Sequence, residues 1–275
     1  MSADIMRINA NIPALQNVDI LSRISDKIAR HQLRLATGKR INSPSEDPAG
    51  YMLSRGLEAR KRGLQVALDN VSNAQNILDV AEGAYSNIMD ILQTIKEKAT
   101  QAADGSLNST QRSAINGQVS ALITEIDDIV DNTTFNDNTL VDGSFSTVFQ
   151  TGEQGTEQLS VSLAAADSAT LGINAIDLST ANGASTAITT VSSAIDTLAQ
   201  DMRTLGEYKV RLQSKQSSLA NQVTNTEAVR STLEDADFAK EQMEVMKLQI
   251  LQQTSLSSLT QANAAPQLVL SMFRQ

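Results

Sequence analysis

The sequence predicts a mainly α protein: a long antiparallel coiled-coil helical bundle with a small β-hairpin region. Three observations predict it. Between Leu53 and Ala99, positions stepping alternately by three and four residues are apolar throughout, with Arg60 the one exception. That pattern averages 3.5 residues, the period of a helix that keeps one seam against a partner over many turns. At about 1.5 Å per residue such a helix is roughly 70 Å long, a rod rather than a compact-domain helix. No Pro occurs between Pro48 and Pro266, so nothing in that span forbids long helices. Aromatic bulk is scarce in this 275-residue chain, with no Trp, three Tyr and five Phe, which suits the thin core of a bundle.

Taken in order, Ile5, Ile8, Ile12 and Leu15 open the chain with a short apolar row. Pro13 is tolerated near a helix start, so a helix is expected from Asn11 or Ile12, with Asn11 as its cap. The row continues through Leu21, Ile24, Ile28, His31 and Leu35 until Gly38 stops it. His31, without a second His or any Cys to join it, is expected to be packed or half-exposed rather than a ligand. Ile41–Gly50 is a turn region, with Ser45 or Asp47 available to cap the next helix. Its basic Lys39-Arg40 and acidic Glu46-Asp47 suit a loop touching a neighbouring subunit.

The long helix then carries Leu57, Leu64, Val71, Leu78, Tyr85, Ile88, Leu92 and Ile95 in its seam, and Ile77, Val80, Ala84 and Ile91 beside it. Gly56, Gly63 and Gly83 each cost about 1 kcal/mol relative to Ala, which suggests close approach of another backbone. Asp104-Gly105-Ser106 ends the helix. A shorter antiparallel helix follows a Ser109/Thr110 cap, with Ile115, Val119, Leu122, Ile126 and Ile129 on one face. Phe145–Gln150 and Leu159–Leu163 read as a β-hairpin, and Ala164–Ala187 as a small, polar connector. From Ile188 to Val223 the alternating spacing returns, carrying Ile195, Leu198, Met202, Leu205, Leu212 and Leu219, the natural partner of the long helix. In the last forty residues Met243, Val245, Met246, Leu248, Ile250 and Leu251 spread around a helix instead of forming one seam, and Leu256, Leu259, Leu270 and Phe273 follow in a Gln/Ser/Thr-rich stretch interrupted by Pro266. The two amphipathic ends are expected to pair with each other and to order only on assembly. The resulting partition is an N-terminal assembly segment at 1–42, bundle halves at 43–132 and 188–233, hairpin and connector at 133–187, and a C-terminal assembly segment at 234–275.

Composition narrows the chemistry. With no Cys, disulfides and thiolate metal sites have no residues to use, and with His31 alone a His-based zinc site or a Ser-His-Asp triad is hard to build. Asp127-Asp128 and Glu46-Asp47 are adjacent carboxylates that do not face each other on a helix, so solvated charge is the expected role. No catalytic, cofactor or metal site is expected. The net charge of −9 argues against nucleic acid or an anionic membrane as partner. No apolar run reaches membrane-spanning length, and the first residues lack the apolar core of a cleaved secretory signal.

Several motifs resemble bacterial flagellin, the flagellar filament subunit. They are Met6-Arg7-Ile8-Asn9, Leu35-Ala36-Thr37-Gly38-Lys39-Arg40-Ile41-Asn42-Ser43, Asp47-Pro48-Ala49-Gly50 and Phe135-Asn136 in the first half. In the second half they are Leu233-Glu234-Asp235-Ala236-Asp237-Phe238-Ala239, Gln249-Ile250-Leu251-Gln252-Gln253 and Gln261–Ser271. The resemblance covers about 1–165 and 185–275. It implies a non-enzymatic homo-polymer, exported unfolded through a type III apparatus without a cleaved signal, and working outside the cell in motility. It also implies a cap protein, a junction protein and an export chaperone as partners. The paired ends would form the inner tube and the bundle the layer outside it, here without large outer domains, so the filament should be thin and smooth. In many flagellins an Arg, with a Leu four residues on, helps bind a Toll-like receptor. The similar stretch here, Gln93, Thr94, Glu97 and Lys98, keeps the Glu but replaces the Arg with Thr94 and the Leu with Lys98, so recognition by that innate receptor is expected to be weak. A hook–filament junction protein and a surface-displayed adhesin, binding through Thr134–Ala187, are the alternatives.

Overall fold

The computed structural model describes the backbone of residues 11–272 and the side chains up to Ala264. Helices α1 (Ile12–Thr37), α2 (Pro48–Ala102) and α3 (Ser109–Asn132) precede two short antiparallel ladders, β1 (Thr134–Phe135) with β2 (Asn138–Thr139) and β3 (Ser146–Gln150) with β4 (Gln158–Ser162). Helices α4 (Ala181–Glu234) and α5 (Phe238–Met272) complete the chain. Two units can be distinguished. One holds the described residues up to Ala59 and from Thr226 onward; the other is Arg60–Asn225.

In the Arg60–Asn225 unit, α2 and α4 run antiparallel. Gln216 reaches Ser72, Gln213 accepts from Gln75, and Lys209 pairs with Asp79 at 2.7 Å and with Glu82, so one register fits all the cross-links. The seam between them is Leu64, Val71, Leu78, Tyr85, Ile88, Leu92 and Ile95 on α2 and Leu198, Leu205, Leu212 and Leu219 on α4, all buried, with Ile195 and Met202 packed at its edge. Arg60 interrupts the apolar row because it turns outward to Glu153 in the β3–β4 loop, 3.3 Å away. Beside the seam, Ile77 and Ala84 are buried and Ile91 half-buried, whereas Val80 is exposed. Helix α3 closes a third side through Ile115, Val119, Ile126 and Val130.

The structure corrects several boundaries. Helix α2 begins at Pro48, directly after the Asp47 cap, and near its start the covered face departs from the expected seam: Leu53 and Met52 are exposed while Ser54 is buried. Asn108, not Ser109 or Thr110, caps α3, because its side chain and Gln111 exchange the reciprocal bonds of a capping box. Among the described residues nothing lies within 4 Å of a Cβ placed on Gly56 or Gly83, and Gly63 would meet only the Glu153 side chain at ordinary contact distance, so no other described segment brings its backbone close to them. The small, polar stretch from Ala164 is no passive connector. Ala166, Leu171, Ile173 and Leu178 are buried in the core, and α4 begins at Ala181, seven residues earlier than its periodicity suggests. Two side chains on α3 hold that stretch: Asp127 accepts from Ser168 N and Oγ, both at 2.8 Å, and Asn116 accepts from Leu178 N at 2.8 Å. At the other end α4 continues eleven residues past Val223, and α5 runs through Pro266 without interruption. The β1–β2 ladder is an unanticipated turn, made possible by Asn136 and Asp137 at φ of 51° and 63°, the left-handed pair a two-residue hairpin needs.

Candidate assembly surface

The unit formed by the two ends contains the groups in question. Asn11 caps α1 by accepting from Ala14 N, Pro13 occupies the first turn, and Gly38 ends the helix in the left-handed conformation at φ 70°. Along α1 the buried residues are only Ile24 and Ile28, and they pack against Leu248 of α5. Val245 is buried on the same side of α5. Polar contacts tie the pair lengthwise: Asn11 Nδ2 donates to Ala262 O at 2.8 Å, Gln252 Nε2 to Ser25 Oγ at 3.4 Å, and His31 Nδ1 pairs with the Glu241 carboxylate.

Where the four segments of this unit meet, Glu234 is the centre of a clasp. Its carboxylate, 7% exposed, takes Lys39 Nζ at 2.5 Å, Ser54 Oγ at 2.5 Å and Arg230 Nη1 at 2.7 Å. Backbone bonds run in parallel: Arg40 N donates to Glu234 O at 2.6 Å and Ala236 N to Gly38 O at 2.9 Å. Burial alone would push this carboxyl up; the hydrogen bonds from Lys39, Ser54 and Arg230 outweigh it and hold the group down at about 2. The expected charged loop is therefore engaged within its own chain. Lys39 serves Glu234, Glu46 accepts from Asn42 N at 2.9 Å, and Asp47 caps α2 by accepting from Gly50 N.

Of the residues assigned to assembly, Ile24, Ile28 and Leu248 are buried inside the subunit. Ile12, Leu21 and Leu259 are half-buried, and Leu15, Leu251 and Leu256 are exposed, Leu15 to 64%. Ile5, Ile8, Phe273 and the side chain of Leu270 lie outside the described residues. Leu57, assigned to the bundle core, is half-buried. A second set on α5 is exposed as well: Phe238, Met243, Met246 and Ile250 are 61%, 60%, 49% and 67% exposed. Met243, Met246 and Ile250 form a three-four row on the side away from Val245 and Leu248. The sequence signal for this set is the spread of apolar residues around α5 instead of along one seam. Val18, Ile20 and Leu33 expose further apolar surface on α1.

The receptor-like patch sits on α2. Gln93 and Glu97 are exposed, Thr94 and Lys98 half-buried, and Thr94 Oγ1 donates back to Asp90 O at 3.0 Å. The carboxylate pairs do separate work: Asp127 binds Ser168 while Asp128 is exposed, and Glu46 and Asp47 each hold a turn amide. Among the described residues no helix is long and apolar enough to cross a membrane.

Comparison with known proteins agrees with this arrangement. Residues 8–146 match the bacterial flagellin N-terminal helical region, and residues 188–273 match the bacterial flagellin C-terminal helical region. A flagellin of Bacillus subtilis (strain 168) is 32% identical, with 98% of this chain and 100% of that one aligned. The crystal structure of Bacillus cereus flagellin superposes with a TM-score of 0.50 at 27% identity, covering 59% of this chain and 94% of that one. A putative flagellar hook-associated protein from Vibrio parahaemolyticus gives a TM-score of 0.60 over 69% of this chain and all of that one, but at 12% identity it shares the fold alone.

Proposed function

The chain belongs to the bacterial flagellin family, and from that premise we propose that it polymerises into the flagellar filament, outside the cell, as a structural subunit. The observation that carries this is the state of α5. A helix with apolar side chains on more than one side is stable in water only if those sides are covered. Here one side meets α1 through Leu248, with Val245 also buried, while Phe238, Met243, Met246, Ile250, Leu251 and Leu256 are left to solvent. Further copies of the same chain supply the cover. Leu15, Leu251, Leu256 and Leu259 then act between subunits, and Ile24, Ile28 and Leu248 hold each subunit's two ends in one orientation.

Negative-stain microscopy of purified protein, brought to polymerising conditions by added kosmotropic salt, tests the reading. Tubes of regular helical symmetry are expected. A protein that remains monomeric, or forms only amorphous aggregates, sinks it.

The finer partners follow from the same reading. Export through a type III apparatus, growth under a cap protein, attachment through a junction protein and protection by a chaperone before assembly all suit a subunit whose α5 is uncovered when alone. For the Toll-like receptor, Lys98 places a charge where the family's apolar contact belongs, and Thr94 spends its hydroxyl on its own helix. Weak activation by monomer is the expected result in a receptor-reporter assay, and full-strength activation would refute it. No catalysis is assigned: Asp127 and Glu46, one from each carboxylate pair, are committed to fixing loops.

A further inference from the structure

We propose that Met243 and Met246 are an oxidation-sensitive site that controls whether the free subunit can join a filament. Of the eight methionines, Met89 and Met202 pack against the bundle core, whereas Met243 and Met246 are exposed on the uncovered side of α5. They stand three residues apart, so the two sulfurs share one face with Ile250. A peroxide-class oxidant reaches both in the monomer. The thioether sulfur attacks one peroxide oxygen; the O–O bond breaks as the S–O bond forms, and the departing oxygen takes a proton to leave as water or an alcohol. Sulfur is oxidised by two electrons and the peroxide reduced by two. Each sulfoxide converts a flexible apolar side chain into a strong hydrogen-bond acceptor. On a face that must be desolvated against a second copy, that acceptor has no matching donor and opposes burial.

The inference rests on the filament reading, since it is assembly that covers this face. Two consequences follow from the geometry. Oxidation leaves the subunit's own fold in place, because neither methionine belongs to the α1–α5 contact of Ile24, Ile28 and Leu248. Assembly in turn protects the pair, because the same face is buried once the filament has formed.

The test compares wild type with M243L/M246L, which keeps apolar volume and helix propensity, and with M52L, which removes a methionine exposed to 77% on α2. Monomers are treated with hydrogen peroxide, mapped by peptide mass spectrometry, checked by circular dichroism and then brought to polymerise. Wild type and M52L are expected to stay helical, carry sulfoxide at Met243 and Met246, and show a critical concentration raised about tenfold or more. M243L/M246L should polymerise as well after treatment as before. Preformed wild-type filaments should show little sulfoxide at either position, a readout that stands even if the variant assembles poorly. Normal polymerisation of subunits oxidised at both positions would overturn the proposal, as would equal oxidation in monomer and filament, or loss of helix on treatment. Untreated wild type that forms no filament would instead remove the filament reading beneath it.

Discussion

Glu234 shows how one side chain can be decided by partners remote in sequence. Ser54 and Lys39 lie about 180 and 195 positions away, and no local pattern announces that they meet it. Caps, by contrast, are written locally, and Asn11 and Gly38 behave as their residue types suggest. Asn108 was masked by Ser109 and Thr110, since all three can cap and only the position of Gln111 selects among them. For Glu234 the sign of the pH effect follows from its depressed carboxyl. The group ionises more easily folded than unfolded, so its stabilisation is complete above the ordinary value of 4.5 and is lost as pH falls towards about 2. Glu234→Gln should therefore destabilise the unit of the two ends by about 3 kcal/mol at pH 7, by leaving Lys39 and Arg230 without their shared anion. Hydrogen exchange of α1 and α5 amides reads that loss, and the difference from wild type should shrink by pH 2. A smaller effect is expected at Tyr85, whose hydroxyl donates to Ala164 O at 2.6 Å. Tyr85→Phe should lower stability by about 1–2 kcal/mol in urea titrations, since the carbonyl loses its partner.

At the scale of elements, long strict periodicity was the most legible feature. The α2 seam from Leu64 to Ile95 is read directly from its 3.5-residue repeat, and the β3–β4 hairpin from the alternation of Leu159, Val161 and Leu163. What escaped was burial without period. Ala166, Leu171, Ile173 and Leu178 stand singly among Ala, Ser and Asn, yet each fills core volume because α3 side chains pin the loop between them. Ile173→Ala should cost about 2–5 kcal/mol, visible as a lower urea midpoint for the Arg60–Asn225 unit, whereas a passive connector would show almost none. The α5 prediction is of the opposite kind. Leu256→Asp with Leu259→Asp alters one exposed and one half-buried position, so helix content in circular dichroism should hold while sedimentation shows monomer only. Normal filaments from that variant would remove both residues from the assembly surface.

For the molecule as a whole, composition was as informative as any motif. A chain poor in aromatics, without Cys and with no Pro between Pro48 and Pro266 has a helical bundle as its natural solution. The division into two units was less visible. Helices α2 and α4 each contribute to both, and nothing in their sequences marks Arg60 or Asn225 as a boundary. The physical difference lies in what is buried. The Arg60–Asn225 unit has a continuous apolar core, whereas the other closes on the small cluster of Ile24, Ile28 and Leu248 and a polar clasp. A chain ended at Glu234 should therefore keep the larger core, read as slow exchange in α2 and α4 between Arg60 and Asn225, and lose protection in α1.

The bond from Asn11 to Ala262 spans 251 positions. Contacts that close so long a loop reward the chain only after its ordering cost has been met, so helix α1 acquires its partner only when the far end has been made and is free to move. The subunit thereby certifies its own completeness. A chain broken between α4 and α5 retains helices and a sound core but has nothing to hold α1 in place, and it reaches the growing polymer without a finished binding face. Fidelity of assembly, on this view, is enforced by topology before any partner is consulted.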